Sequence, residues 1–384
     1  MTSVSRRDFL ITAGAVSLFG GHAPAVHGTD DKSGLKTPTV GEGEFVFECK
    51  HDWGEVPNHI TWRNTHGVAL DRSGFVYVIH QGDADRPCNT VVVFDSEGRY
   101  VRSFGREFAG GGHGISIRAE GGEEFLYLCD ILHRQVVKCD LFGEWVWKLR
   151  YPRESKLYQN LESFCPTNVA FGHNEEWYLG DGYGSDFVHR LDGDGRWLSA
   201  IGGHGSQPGQ FHIPHGQIFV PDRGEQGLLI VADRGNSRLQ YFTPDGTQKK
   251  ILQGRSDQLT ESGDTTGETK SEQELESTTD GLSVSSCPGL SSPSNMDVWE
   301  DLMIVADLHC RLIVLDSNDD FLVQIGGEPE WTQTVLGRPE IRENRDAWEP
   351  GKFVHPHDAA FDVDGNCYVV EWVEPGRVSK LSWA

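Results

Sequence analysis

One unit recurs along this 384-residue chain, and the repetition limits the fold more than any single motif does. The unit is a short apolar strand, an Asp/Gly turn and a second strand ending in an acid. A third strand, another turn and a fourth strand closing in Phe-Gly or Ile-Gly-Gly complete it. One whole copy runs through His66-Gly67-Val68-Ala69, Tyr77-Val78-Ile79-His80, Val91-Val92-Val93-Phe94-Asp95 and Val101-Arg102-Ser103-Phe104-Gly105. Further copies open at His113, Thr167, His215, Ser294 and His357, at spacings of 47, 54, 48, 79 and 63 residues. A four-stranded propeller blade uses about 40–50 residues, so the expectation is an all-β, six-bladed β-propeller. The second strands end at His80, Asp130, Asp181, Asp233, Asp307 and Glu371.

Composition agrees. Forty-six glycines and frequent aromatics with three methionines fit many short strands and tight turns rather than a helical bundle. The 79-residue spacing contains residues 253–292, rich in Ser, Thr, Glu and Gly, which reads as a disordered insert. The 63-residue spacing holds a Trp-, Pro- and Arg-containing loop, residues 328–352. The last copy stops after its third strand, at Trp383. The strand Glu44-Phe45-Val46-Phe47-Glu48 can complete it and close the ring without a free sheet edge. The expected organisation is a propeller over 44–384, a linker over 26–43 and a targeting segment over 1–25.

That segment, with Arg6-Arg7 followed by a mild apolar stretch and Ala23-Pro24-Ala25, reads as a twin-arginine export signal, which implies a periplasmic or extracellular protein. No other stretch is apolar for long enough to span a membrane. A net charge of −24 without a basic block argues against nucleic acid as a partner. Eight scattered cysteines form no CxxC pair, which argues against a thiolate zinc site. Cys129 and Cys139 could face each other across a hairpin, and connectivity stays open.

First strands line the axis of a propeller, so residues that open equivalent first strands form a ring at one height. Four of the six are histidine: His66, His113, His215 and His357. The last three fall in alternate blades, about 120° apart, and three imidazoles with an open fourth position suit a catalytic zinc. His66 breaks that threefold pattern and reads as a polar channel neighbour of the ligands. Tyr183 and Arg234 follow second-strand ends and should share the rim with the histidines, where a phenol can serve as base and a guanidinium can hold a carboxylate.

The repeat pattern resembles the NHL-repeat β-propeller family over 44–384, most clearly in Leu229-Ile230-Val231-Ala232-Asp233-Arg234-Gly235-Asn236-Ser237-Arg238. A closer resemblance is carried in order by Phe164-Cys165-Pro166-Thr167-Asn168, Gly180-Asp181-Gly182-Tyr183, Pro208-Gly209-Gln210-Phe211, Ile213-Pro214-His215 and Pro356-His357-Asp358. These look like the lyase domain of the peptidylglycine α-amidating enzymes, which cleaves peptidyl-α-hydroxyglycine to a peptide amide and glyoxylate. The resemblance implies zinc on His113, His215 and His357, with Tyr183 as base and Arg234 as an active-site arginine. It also implies a structural calcium on Asp358 and the backbone carbonyls of Val68 and Ile115. A second family arginine, expected after His80, is replaced by Gln81, so His80 and Gln81 enter as polar neighbours of the site. The family's disulfides are not carried over: Gly184 stands opposite Cys165, and Ile230 and Tyr241 replace the second pair.

The expected function is thus that of an exported zinc lyase acting on a peptide or small hydroxylated substrate. The alternatives are a non-catalytic secreted propeller that binds a protein or glycan, and a hydrolase or other lyase that uses a zinc-bound water. The sequence sets no oligomeric state. It holds no Gly-rich phosphate loop, HExxH helix or GxSxG elbow.

Overall fold

The computed structural model describes residues 37–255 and 282–384, with the backbone of His27–Gly28. Six antiparallel sheets stand in a ring, and their first strands touch in the order of the chain, the sixth against the first. These inner strands are Thr65–Leu70, Gly112–Glu120, Val169–Phe171, Pro214–Val220, Pro293–Trp299 and Pro356–Phe361. Second and third strands are buried on both faces, as Val76–His80 and Val91–Phe94 show, so they read as continuous apolar runs. Their side chains form the wedge-shaped cores between blades.

The turns follow from one repeated device. Asp95 Oδ1 accepts hydrogen bonds from the amides of Glu97 and Arg99, and Asp140, Asp192, Asp316 and Asp362 do the same for their own turns. Each carboxylate replaces backbone partners that the reversing chain has lost. Gly98 takes the left-handed position of its turn at φ 86°, and Asp319 occupies the equivalent position at φ 69°.

Acids that end the second strands form a second set of ties. Asp181 accepts from the amides of Cys165 and Ser185, and Asp307 from those of Ser291 and Ser292. Asp233 and Glu371 hold Arg238 and Arg377, buried ion pairs that pin the next strand. His80 plays this part in blade one. Its Nδ1 accepts from the amides of Arg63 and Gly82 and its Nε2 donates to the Asn89 carbonyl, so both nitrogens are committed to backbone. His80 is therefore a structural residue and not a polar neighbour of a metal site.

The ring closes as the sequence implies. Phe45–Lys50 pairs antiparallel with Arg377–Trp383, with Cys49 opposite Leu381 and Phe47 opposite Trp383. The sheet continues further than expected. Pro38–Glu42 pairs with Phe45–Lys50 and His27–Gly28 pairs with it in turn, so part of the segment 26–43 is sheet rather than linker. In blade four, Ser283–Cys287 adds a fifth strand parallel to Gln248–Gly254, with Cys287 buried. The expected insert over 253–292 therefore contains ordered strand at its C-terminal end, where alternate residues find an edge to pair with. Residues 256–281, like the expected export signal over 1–25, lie outside the described residues.

The loop 328–352 holds a helix, Pro329–Gly337, with proline at its first position and Trp331 and Val335 buried. These pack with Ile341, Val354, Val373 and Cys310. All eight cysteines are free thiols. Cys129 pairs with Val136 and Cys139 with Leu126, so the two do not face each other across the hairpin. No helix among the described residues is long and apolar enough to cross a membrane.

Phe47 is buried, with its ring centroid 4.3 Å from that of Trp383. Phe47→Ala should cost about 3–5 kcal/mol by equilibrium urea unfolding, because it empties the core between blades five and six at the strand that completes the sixth blade. An unchanged midpoint would show that this strand does not carry the closure.

Candidate functional site

In five of the six blades the residue that opens the first strand sits in a bulge. Pairing between first and second strands shifts register at Thr65/Gly67, Gly112/Ile115, Pro214/Gln217, Pro293/Asn295 and Pro356/Asp358. A bulge re-aims the side chain it contains, here toward the axis. His66, His113, His215 and His357 all turn inward and are 1–5 % exposed.

Glycine follows three of these histidines because the next blade comes too close for a side chain. A Cβ on Gly114 would lie 2.4 Å from the Thr167 carbonyl oxygen, and one on Gly216 would lie 2.5 Å from that of Ser294. The same two carbonyls accept hydrogen bonds from the neighbouring imidazoles: His113 Nδ1 is 2.8 Å from Thr167 O and His215 Nδ1 is 2.9 Å from Ser294 O. His357 Nδ1 repeats the arrangement at 2.6 Å from His66 O. A carbonyl can only accept, so Nδ1 carries the hydrogen in all three rings and Nε2 keeps its lone pair.

Those lone pairs converge. His113 and His215 Nε2 are 3.3 Å apart. Two acceptors at that separation repel unless a cation or proton lies between them, and burial holds all four rings well below the ordinary histidine pKa, hence neutral. The donor set fits a borderline-soft divalent ion such as zinc.

His66 enters the cluster more deeply than its place outside the threefold pattern implies. The ligand atoms of His66, His113 and His357 lie within 4.8 Å of one another. His66 Nδ1 is 3.2 Å from His357 Nε2, and its own buried Nε2 has no hydrogen-bond partner although Gln81 approaches the ring. The structure thus brings together four imidazoles.

Tyr183 and Arg234 meet this cluster as expected. The Tyr183 hydroxyl is 3.0 Å from His215 Nε2 and 3.4 Å from His113 Nε2. Arg234 Nη2 donates to that hydroxyl at 3.2 Å, and its guanidinium lies 5.3 Å from the centre of the tyrosine ring. The Arg234 charge bears on all four histidines and further disfavours their protonation. Tyr183 is a little over one-third exposed, so the group that faces the imidazoles is also open to a ligand. Gln81 binds Asn64, which donates to its Oε1 at 2.8 Å.

Below the imidazoles the channel widens into a cavity of about 310 Å³ that Val68, Ile115, Asn168, Gln217, Asn295 and Asp358 help to line. Asp358 accepts from the Val68 amide at 3.0 Å and from Asn295 Nδ2 at 2.7 Å, and burial pushes its carboxyl up to about 8. Gln217 Oε1 and Asn295 Oδ1 are buried without a partner. Two orphaned oxygens beside a carboxyl suit a hard cation such as calcium. Asp297, which also lines this cavity, is pushed up to about 6 by burial. The sequence reading gave no role to Asn168, Gln217, Asn295 or Asp297. A signal was available: Asn168, Asn295 and Asp358 occupy the position that is glycine in blades one, two and four.

No family model matches the chain. Among curated proteins it is 28 % identical over 244 residues to peptidyl-glycine alpha-amidating monooxygenase A of Xenopus laevis, covering 56 % of this chain and 25 % of that protein. It is 26 % identical over 212 residues to a Caenorhabditis elegans protein named "Probable peptidyl-alpha-hydroxyglycine alpha-amidating lyase pgal-1", covering 52 % and 58 %. Human NHL repeat-containing protein 3 is 27 % identical over 210 residues, covering 53 % and 58 %. The chain therefore spans about a quarter of the first relative and just over half of the other two. Among solved structures, a streptogramin B lyase superposes with a TM-score of 0.51 at 11 % identity, over 88 % of this chain and 98 % of that one. Virginiamycin B lyase of Staphylococcus aureus gives 0.51 at 10 %, over 88 % and 100 %. These likenesses show the propeller fold. The homologues of this six-bladed propeller thus include amidating lyases and NHL-repeat proteins.

The carbonyl contacts can be tested without any metal. Imidazole ¹⁵N spectra of metal-free protein should show His113, His215 and His357 as Nδ1–H tautomers. Gly216→Ala should disturb the His215 signal selectively and lower the melting temperature. An Nε2–H tautomer at His215 would contradict the arrangement.

Proposed function

We propose that this chain is a metal-dependent propeller lyase that breaks the C–N bond of an N-acyl-α-hydroxyglycine, releasing an amide and glyoxylate. One observation carries the reading: a phenol hydroxyl lies between two imidazole lone pairs and a guanidinium at an open mouth. The identity of the relatives adds to it.

His113, His215 and His357 would hold zinc through Nε2, and the threefold set of Nδ1–H bonds to carbonyls favours this trio over one that includes His66. When bound, the ion supplies Lewis acidity toward a hydroxyl oxygen. Tyr183 takes the proton from the substrate α-hydroxyl. The oxygen electrons form the aldehyde C=O, the C–N bond breaks, and the departing amide nitrogen is protonated. No further reactant is consumed. Arg234 holds the substrate carboxylate and donates a hydrogen bond to the Tyr183 oxygen. Asp358, with Val68 and Ile115, would hold calcium in the lower channel. Export, with action outside the cytoplasm, rests on the sequence of residues 1–25.

Mass spectrometry should find about one zinc per chain. His215→Ala should lose it with the fold retained, whereas His66→Ala should keep it. Tyr183→Phe should retain metal and lower glyoxylate release by about 10²–10⁴-fold. A folded protein that takes up no zinc would instead favour a non-catalytic binding propeller. Retention of zinc by His215→Ala together with its loss in His66→Ala would move the ligand set to His66, His113 and His357.

A further inference from the structure

The segment between blades five and six carries a residue to the entry of blade one that no repeat position supplies. After the helix Pro329–Gly337, the 3-10 turn Pro339–Glu343 is anchored by buried Ile341. The next residue, Arg342, is fixed from three sides. Its carbonyl accepts from the Glu374 amide at 2.9 Å, its Nη2 donates to Asn64 Oδ1 at 2.6 Å, and its guanidinium lies 3.7 Å from the centre of the Trp372 ring. Asn64 is buried and binds Gln81, which stands beside His66. Arg342 is thereby linked through two amides to the histidine cluster.

It makes no direct ion pair. Among the described residues no carboxylate lies within 4.0 Å of its nitrogens, and its buried Nε has no hydrogen-bond partner. Glu374, whose charge reaches Arg342, is already paired with Arg63 at 2.8 Å. Glu343 also bears on Arg342, but neither carboxylate makes a direct salt bridge to it, and a half-buried guanidinium left so is costly. Arg234 likewise makes no ion pair among the described residues: its hydrogen bond goes to the Tyr183 hydroxyl.

The two arginines stand on opposite walls. Arg234 belongs to blade four and lies against Tyr183 of blade three, whereas Arg342 packs on Trp372 of blade six and Asn64 at the entry to blade one. They also differ in reach. The Arg234 charge bears on all four imidazoles, while that of Arg342 bears on His355, two residues before His357. An anion held by Arg342 therefore sits away from the reacting carbon.

We propose that Arg342 is a specificity-determining residue that binds a second acidic group, carried on the acyl part of the substrate, while Arg234 takes the carboxylate at the reacting end. The substrate class is then an N-acyl-α-hydroxyglycine with an acidic acyl group. The guanidinium is already flattened on Trp372 and its Nη2 is held by Asn64, which leaves Nη1 to donate to a carboxylate oxygen. This inference rests on the lyase reading of the same mouth.

The test compares N-succinyl-α-hydroxyglycine with N-butanoyl-α-hydroxyglycine, which has the same acyl chain length and no acyl carboxylate, on zinc-loaded protein. The native chain should prefer the succinyl compound by about tenfold in kcat/KM. Arg342→Gln should abolish that preference by raising KM for the succinyl compound with kcat unchanged, and should leave the butanoyl rates as they were. A merely structural role would lower both. Arg342→Lys should keep part of the preference, since it restores charge without the planar stack on Trp372. Turnover without the preference, or a preference that survives in Arg342→Gln, would overturn the assignment and leave the lyase reading intact. If neither compound is turned over, the lyase reading fails, and calorimetric binding of N-succinylglycine against N-butanoylglycine decides the role of Arg342. An affinity difference that Arg342→Gln removes would support it, and no difference would overturn it.

Discussion

Three hydrogen bonds at the axis hold structure and chemistry together: Nδ1–H of His113, His215 and His357, each donated to the carbonyl that opens the following blade. Each bond ties one blade to the next where the sheets come closest. It also fixes which nitrogen keeps a lone pair, so the device that assembles the ring orients the ligands inside it. At His113 and His215 the bulge in the inner strand and the glycine after the histidine serve this bond. One turns the ring inward and the other lets the carbonyl approach.

The channel is divided by chemistry. Its upper end presents neutral nitrogen donors, a phenol and a guanidinium, and its lower end presents oxygens. Burial first, with the Arg234 charge beside the imidazoles and Asp297 beside Asp358, pushes the imidazoles and the Asp358 carboxyl toward their uncharged forms. A bound cation reverses that tendency at Asp358 by favouring the carboxylate. Soft and hard donors are therefore separated along one axis within a single fold. The separation begins at the residue after each opening position, which is glycine in blades one, two and four and Asn168, Asn295 or Asp358 in the others.

Much of this was legible because a propeller repeats. Equivalent positions in the sequence become equivalent heights in the ring, so four histidines at one repeat position implied a cluster, and Tyr183 and Arg234 implied the rim. The limits had the same origin. His80 ends a second strand where other blades have an acid, and its binding to the amides of Arg63 and Gly82 depends on how the chain enters blade one. His66 looked peripheral by symmetry, but its Nδ1 reaches His357. Arg342 lies outside the repeat, so no periodicity could place it beside Asn64. The strands Pro38–Glu42 and Ser283–Cys287 were missed because each is polar and gains its partners only from an edge that the rest of the fold supplies.

The joint between Phe45–Lys50 and Arg377–Trp383 has a consequence for how this protein is made. The residues paired there are more than three hundred positions apart, so the ring cannot shut before Arg377–Trp383 has been made. Until the C-terminal strand is released, the sixth blade lacks its partner and offers an open sheet edge to any other chain nearby. Earlier blades can form one after another on local contacts, yet the last step is a long-range closure, which is slow and exposed to aggregation. The interval between synthesis of the final strand and its pairing with Phe45–Lys50 is when this chain most needs protection by a chaperone.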